Sequence, residues 1–98
     1  MKYLKTYENN SNIILIKNIC KEYDITNYTI NNDMSIDVDG DVDLAFEVLH
    51  NIPLNFNKVH GDFKISFNNI TSLKGSPIYV SGDYLANNNK LNSLEYSP

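Results

Sequence analysis

The sequence predicts an α+β solenoid of about three 21-residue coils with a short parallel sheet, capped by an N-terminal helix and a β-hairpin. Three observations carry this expectation. Gly-Asp followed by an apolar residue recurs as Gly40-Asp41-Val42, Gly61-Asp62-Phe63 and Gly82-Asp83-Tyr84, 21 residues apart each time. With these in register, apolar residues fall into columns: Val42/Phe63/Tyr84, Leu44/Ile65/Ala86, Leu49/Ile70/Leu91, Ile52/Leu73/Leu94 and Val59/Val80. The chain has 98 residues, 42% of them hydrophobic and 20% charged, enough for one domain with a single modest core.

In chain order, residues 12–23 read as a helix. Ser11 or Asn12 can cap it, and Ile13, Ile16, Cys20 and Tyr23 share one face. Tyr28-Thr29-Ile30 and Ser35-Ile36-Asp37-Val38 flank the polar Asn31-Asn32-Asp33-Met34, the signature of a β-hairpin. Residues 1–39 are thus expected to cap the coils of residues 40–98 within a single folded unit, because each coil leaves an apolar face for a neighbour. Within the coils, Val42-x-Leu44, Phe63-x-Ile65 and Tyr84-x-Ala86 alternate as strands with one buried face.

Glu47, Asn68 and Asn89 follow these strands, and Leu49, Ile70 and Leu91 come two residues later. This apolar-x-apolar-x-x-Asn-x-apolar pattern resembles the leucine-rich repeat, in particular the short bacterial type and uncharacterised repeat proteins of large tailed phages. The resemblance covers residues 40–98. It implies a leucine-rich-repeat-like fold in which the asparagine amide bonds the backbone of neighbouring coils and a proline-containing return segment is extended. Alternation turns Asp41, Asp43 and Ala45, Asp62, Lys64 and Ser66, and Asp83, Leu85 and Asn87 out of the sheet. The resemblance implies that this concave face binds another protein, through Asp41, Asp43, Asp62, Lys64, Ser66, Asp83, Leu85 and Asn87. Glu47 in the asparagine column, the small Ala86, and a third unit that stops at Pro98 depart from the pattern.

Composition narrows function. A net charge of -4 argues against generic nucleic-acid or membrane-surface binding. All eight basic residues are lysine, so the usual bidentate reader of phosphate is missing. The 16 asparagines and 11 isoleucines read as codon bias of an AT-rich genome. The longest apolar run, Ile13-Ile14-Leu15-Ile16, falls far short of the roughly 20 residues of a spanning helix, and no signal peptide follows Met1-Lys2-Tyr3-Leu4-Lys5, so a cytoplasmic location is expected. Cys20 stands alone and lies on the apolar helix face, which suits a core residue better than a nucleophile.

The segment from Ser35 to Asp43 overlaps a calcium-loop pattern. However, serine replaces its first carboxylate and Phe46 occupies the place of the bidentate glutamate, so no metal is expected. Stacked strands would place Asp41, Asp62 and Asp83 in a ladder. Each is expected to accept N–H groups of its own turn, the alternative being a ladder that receives a lysine-rich partner or a cation. His50 and His60 have no zinc spacing, and no phosphate loop or nucleophile elbow occurs. The expectation is a non-catalytic protein–protein interaction module without cofactor, fitting a phage protein that binds or inhibits a host factor. The alternative is a structural or self-assembling protein, a homo-oligomer through its open C-terminal edge or a minor virion component.

Overall fold

The computed structural model describes residues 2–98, with side-chain surroundings described from Asn10 onward. Its first element, α1 (Lys2–Glu22), begins well before the expected residue 12. Neither glycine nor proline interrupts that stretch, and Ser11 and Asn12 lie inside the helix instead of capping it. The helix ends in a Schellman turn with aspartate where glycine is usual. Asp24 adopts φ 55°, its N–H donates to the Lys21 carbonyl at 3.4 Å, and the Ile25 N–H donates to the Cys20 carbonyl at 2.8 Å. Cys20 and Ile25, joined by this turn, are both buried and pack with Ile16 into the core.

Strands β1 (Tyr28–Ile30) and β2 (Ile36–Val38) pair antiparallel, with Tyr28 opposite Val38. Asp33 ties the turn between them: its Oδ1 accepts the Ser35 hydroxyl at 2.6 Å and the Ser35 N–H at 3.0 Å. These two bonds, the hydroxyl first, hold the Asp33 carboxyl below the usual carboxylate range.

Five short strands follow: β3 (Val42–Asp43), β4 (Phe56–Val59), β5 (Phe63–Lys64), β6 (Tyr79–Val80) and β7 (Tyr84–Leu85). β3, β5 and β7 form a three-stranded parallel sheet with Val42, Phe63 and Tyr84 in register, and beside them Asp43, Lys64 and Leu85. β4 and β6 extend the hairpin into a mixed sheet of order β1-β2-β4-β6, in which only the β1–β2 pair is antiparallel. A bulge interrupts β2–β4: Ile36 lies opposite Phe56, but Asp37 lies opposite Lys58. Asn57, the extra residue, donates its amide to Asp37 Oδ1 at 2.8 Å, and the Lys58 N–H reaches the same oxygen at 3.1 Å.

This arrangement overturns the expected leucine-rich-repeat-like solenoid capped by a helix and hairpin. The segments expected to run back behind a single sheet carry β4 and β6, and the hairpin expected as an end cap supplies the first two strands of their sheet. The described residues form a small α+β fold of one helix and two small sheets, one mixed and one parallel. The physical reason is the partner that Ile36 and Val38 offer. Phe56 and Val59 are apolar and buried, and pairing them in parallel with the hairpin satisfies their backbone groups while extending the core. The two sheets meet across one cluster, where the Phe56 ring lies edge-on to Phe63 with centroids 5.0 Å apart. Burial of a side chain such as Phe63 stabilises the fold by roughly 1.5–3 kcal/mol.

Candidate protein-binding face

The expected face is built on β3, β5 and β7, and its geometry begins with the Gly-Asp pairs. Asp41 Oδ1 accepts the N–H of Asp62 at 2.7 Å, and Asp62 Oδ1 accepts the N–H of Asp83 at 2.8 Å. The Asp41 and Asp62 carboxylates therefore reach the next unit and not their own turn as expected. The glycines follow from this contact. A Cβ on Gly61 would sit 2.6 Å from Asp41 Oδ1 and from the Gly40 carbonyl, and one on Gly82 would collide with Asp62 Oδ1.

Beyond the strands the chain bends away from the sheet at Phe46, Phe67 and Asn88, all in the left-handed region with φ 60°, 58° and 58°. The residue after each bend is Glu47, Asn68 or Asn89. Asn68 is buried, and its Nδ2 donates to the carbonyls of Leu44 at 2.8 Å and Ile65 at 3.0 Å. Its Oδ1 accepts the N–H groups of Glu47 and Leu49, both at 3.0 Å. Asn89 repeats the arrangement one strand on, from Ile70 N–H to the carbonyls of Ile65 and Ala86. These amides hold the bends that present the residues before them.

The structure distributes the predicted face residues unevenly. Asp43, Lys64 and Leu85 stand side by side in register, Asp43 and Leu85 exposed and Lys64 half-buried. Asp43 Oδ1 accepts the Ala45 N–H at 3.1 Å. Asp41, Asp83 and Asn87 are exposed and Asp62 is half-buried. Ser66 departs from expectation: it is only 6% exposed, and its hydroxyl donates to Asn87 Oδ1 at 2.6 Å. It supports Asn87 and offers little surface of its own.

Two residues outside the predicted set dominate the rim. Phe46 and Phe67, 71% and 46% exposed, stack with ring centroids 4.5 Å apart and planes 7° from parallel. Together with Asp43, Lys64, Leu85 and Asn87 they line an open groove of about 430 Å³. Their sequence signal was the same 21-residue spacing that marked the Gly-Asp pairs, with Asn88 as the third member of the column. An acidic groove of about 310 Å³ continues past β3, lined by Glu22, Asp24, Asp41, Asp43 and Glu47.

The other chemistry-bearing residues lie apart from this face. Cys20 is 1% exposed, and burial pushes its thiol up, partly offset by the Tyr28 hydroxyl. The Tyr84 and Ser76 hydroxyls share a hydrogen bond of 2.7 Å, and burial raises the Tyr84 phenol. Asp37 of the calcium-like segment is engaged by Asn57 and Lys58. Among the described residues, no group of three His, Cys, Asp or Glu side chains is placed to hold a metal, and no helix is long and apolar enough to cross a membrane. Compared with protein families, curated proteins and solved structures, the chain matches none.

Proposed function

We propose that this chain is a non-catalytic protein–protein interaction module whose binding surface is the outer face of β3, β5 and β7 together with the Phe46–Phe67 pair. The observation that carries this reading is the conformation of the two phenylalanines. A bulky residue in the left-handed region costs roughly 1–2 kcal/mol. Stacking returns about 0.5–1.5 kcal/mol for the pair, less than the combined cost at the two sites, and both rings keep a large share of their surface in solvent. Asparagine, which tolerates this backbone, occupies the matching bend at Asn88. Two exposed aromatic rings held in a strained conformation fit a surface that gains its burial from a partner.

The sequence resemblance of residues 40–98 to phage repeat proteins supports a viral setting, with a host factor in the bacterial cytoplasm as the target. The test is affinity capture from bacterial lysate by the wild type, by Phe46→Asn/Phe67→Asn and by Lys64→Glu/Leu85→Asp, each variant checked for folding by circular dichroism. A stoichiometric protein held by the wild type and lost by both variants supports the reading. A protein held equally by all three moves binding off this face.

Self-assembly is a second reading, and one observation favours it. β7 is an edge strand, and beside it Leu73, Leu91 and Leu94 line an open groove of about 460 Å³, with Leu94 74% exposed. Concentration-dependent dimerisation abolished by Leu94→Asp in a folded variant supports this reading against the first.

A further inference from the structure

We infer that the β3–β5–β7 face takes a basic peptide segment, with a lysine or arginine adjacent to an apolar side chain. This inference rests on the reading of that face as a binding surface and names the chemistry of its occupant. The aromatic groove and the acidic groove share Asp43 and Ala45, so one continuous path crosses β3. At one end of the path lie Phe46, Phe67 and Leu85, suited to an apolar side chain. At the other end five carboxylates, Glu22, Asp24, Asp41, Asp43 and Glu47, line the groove without a lysine among them.

Two of those carboxylates are already oriented. Asp41 and Asp43 each hold one oxygen on a backbone N–H, which fixes the side chain before a ligand arrives and lowers the ordering cost of binding. A guanidinium or ammonium at this end sits in the carboxylate field, and the shared Asp43 and Ala45 connect it to the aromatic end, which takes the neighbouring apolar side chain. Among the described residues, an acidic partner would meet Lys64 as the single cation of the path and five like charges around it. A second copy of the same face would bring the two sets of carboxylates together. Charge complementarity therefore selects a basic segment over either.

The experiment measures binding of three short fluorescent peptides to the full chain by anisotropy: a Leu-Lys-Ser repeat, the same repeat with Glu for Lys, and one with Ala for Leu. The Leu-Lys-Ser probe should bind at least about 10-fold more tightly than either of the others. Its affinity should fall about 10-fold or more between about 50 mM and about 500 mM salt, as screening of exposed charges requires. Asp43→Asn/Glu47→Gln and, separately, Phe46→Asn should each weaken it several-fold in variants that remain folded.

Preferential binding of the Glu probe that Phe46→Asn abolishes would overturn the basic occupant while leaving the face as a binding surface. Affinity for the Lys probe that ignores Phe46→Asn, or that needs no leucine, would reduce the effect to diffuse charge attraction and overturn the inference. Dimerisation abolished by Phe46→Asn would assign the face to a second copy and likewise overturn the basic occupant. Absence of binding to the Leu-Lys-Ser probe overturns it outright, and the lysate capture then decides separately whether the face binds any protein.

Discussion

The carboxylate of Asp41 accepts the backbone N–H of Asp62 at 2.7 Å, directly over the position where a side chain on Gly61 would stand. The Gly-Asp pair is thus a two-part device: aspartate bonds the following strand, and the glycine of that strand leaves room for it. Gly61 has no positive φ, so alanine would be excluded by contact and not by backbone conformation. Gly61→Ala should destabilise the fold by about 1–3 kcal/mol, the usual range for forced overpacking. Asp41→Ala removes the obstructing oxygen but leaves the Gly40 carbonyl 2.6 Å from the new Cβ, so it should rescue only part of that loss. Urea unfolding of the two single variants and the double variant measures the coupling.

Asn68 should be the most costly polar side chain to remove. Its amide is buried and bridges Glu47 and Leu49 on one side to Leu44 and Ile65 on the other. Truncation strands several of these backbone groups, each costing about 1–3 kcal/mol where water cannot reach. Asn68→Ala should therefore lose about 3 kcal/mol or more. Asn89→Ala, at a half-buried site, should lose less. Equal losses in denaturant titration would show that burial does not set the cost.

The same two asparagines mark what was legible in the sequence. The Gly-Asp spacing and the aligned Val42, Phe63 and Tyr84 anticipated the register of the three-stranded sheet, because the same contact recurs between residues 21 apart. The mixed sheet was not legible. In β4 the buried residues Phe56 and Val59 are three apart, since the bulge at Asn57 breaks the two-residue alternation by which a strand is read. Strands of two residues carry no period at all, and the expected solenoid failed where β4 found a partner in the hairpin and β6 in turn paired with β4. Alternation predicts an exposed Ser66, but beside the bend at Phe67 its hydroxyl is spent on Asn87 Oδ1 and the residue is buried. Phe46 and Phe67 were visible as a column, yet nothing in residue identity alone reveals a left-handed backbone.

Acid should weaken the β2–β4 junction. The Asn57 amide and then, against some desolvation, further donors including the Lys58 N–H hold the Asp37 carboxyl below its ordinary range. A carboxylate depressed in the folded state contributes stability above its unfolded value of about 3.9, and that contribution is lost as the pH falls through the folded value. The stability gap between wild type and Asp37→Asn should therefore be constant near neutrality and close as the pH drops below about 4. Melting curves from neutral to strongly acid pH check this, and a gap that widens in acid would refute it.

Cys20 reports on the helix–sheet contact. It is 1% exposed with its thiol pushed up by burial, so alkylation by iodoacetamide at neutral pH should be slow and governed by opening of the fold. Mild urea should accelerate labelling in step with unfolding. Rapid labelling in native buffer, at the rate of a free cysteine, would mean that α1 leaves the core readily.

Replacing the exposed phenylalanines separates strain from stability. At Phe46 and Phe67 the backbone occupies φ 60° and 58°, where asparagine is tolerated and a bulky side chain is not. Phe46→Asn/Phe67→Asn relieves roughly 1–2 kcal/mol of conformational cost at each site and forfeits the roughly 0.5–1.5 kcal/mol of their stacking together with the partial burial of the rings, about 1–2 kcal/mol in all. The double variant should accordingly unfold at the same or higher urea concentration than the wild type, although two large aromatic residues have been removed. Phe63→Ala provides the contrast: the same ring fully buried should cost about 3–5 kcal/mol. If the double Asn variant loses stability on that scale, the pair belongs to the packing of the fold, and its strained backbone is not held in reserve for a partner.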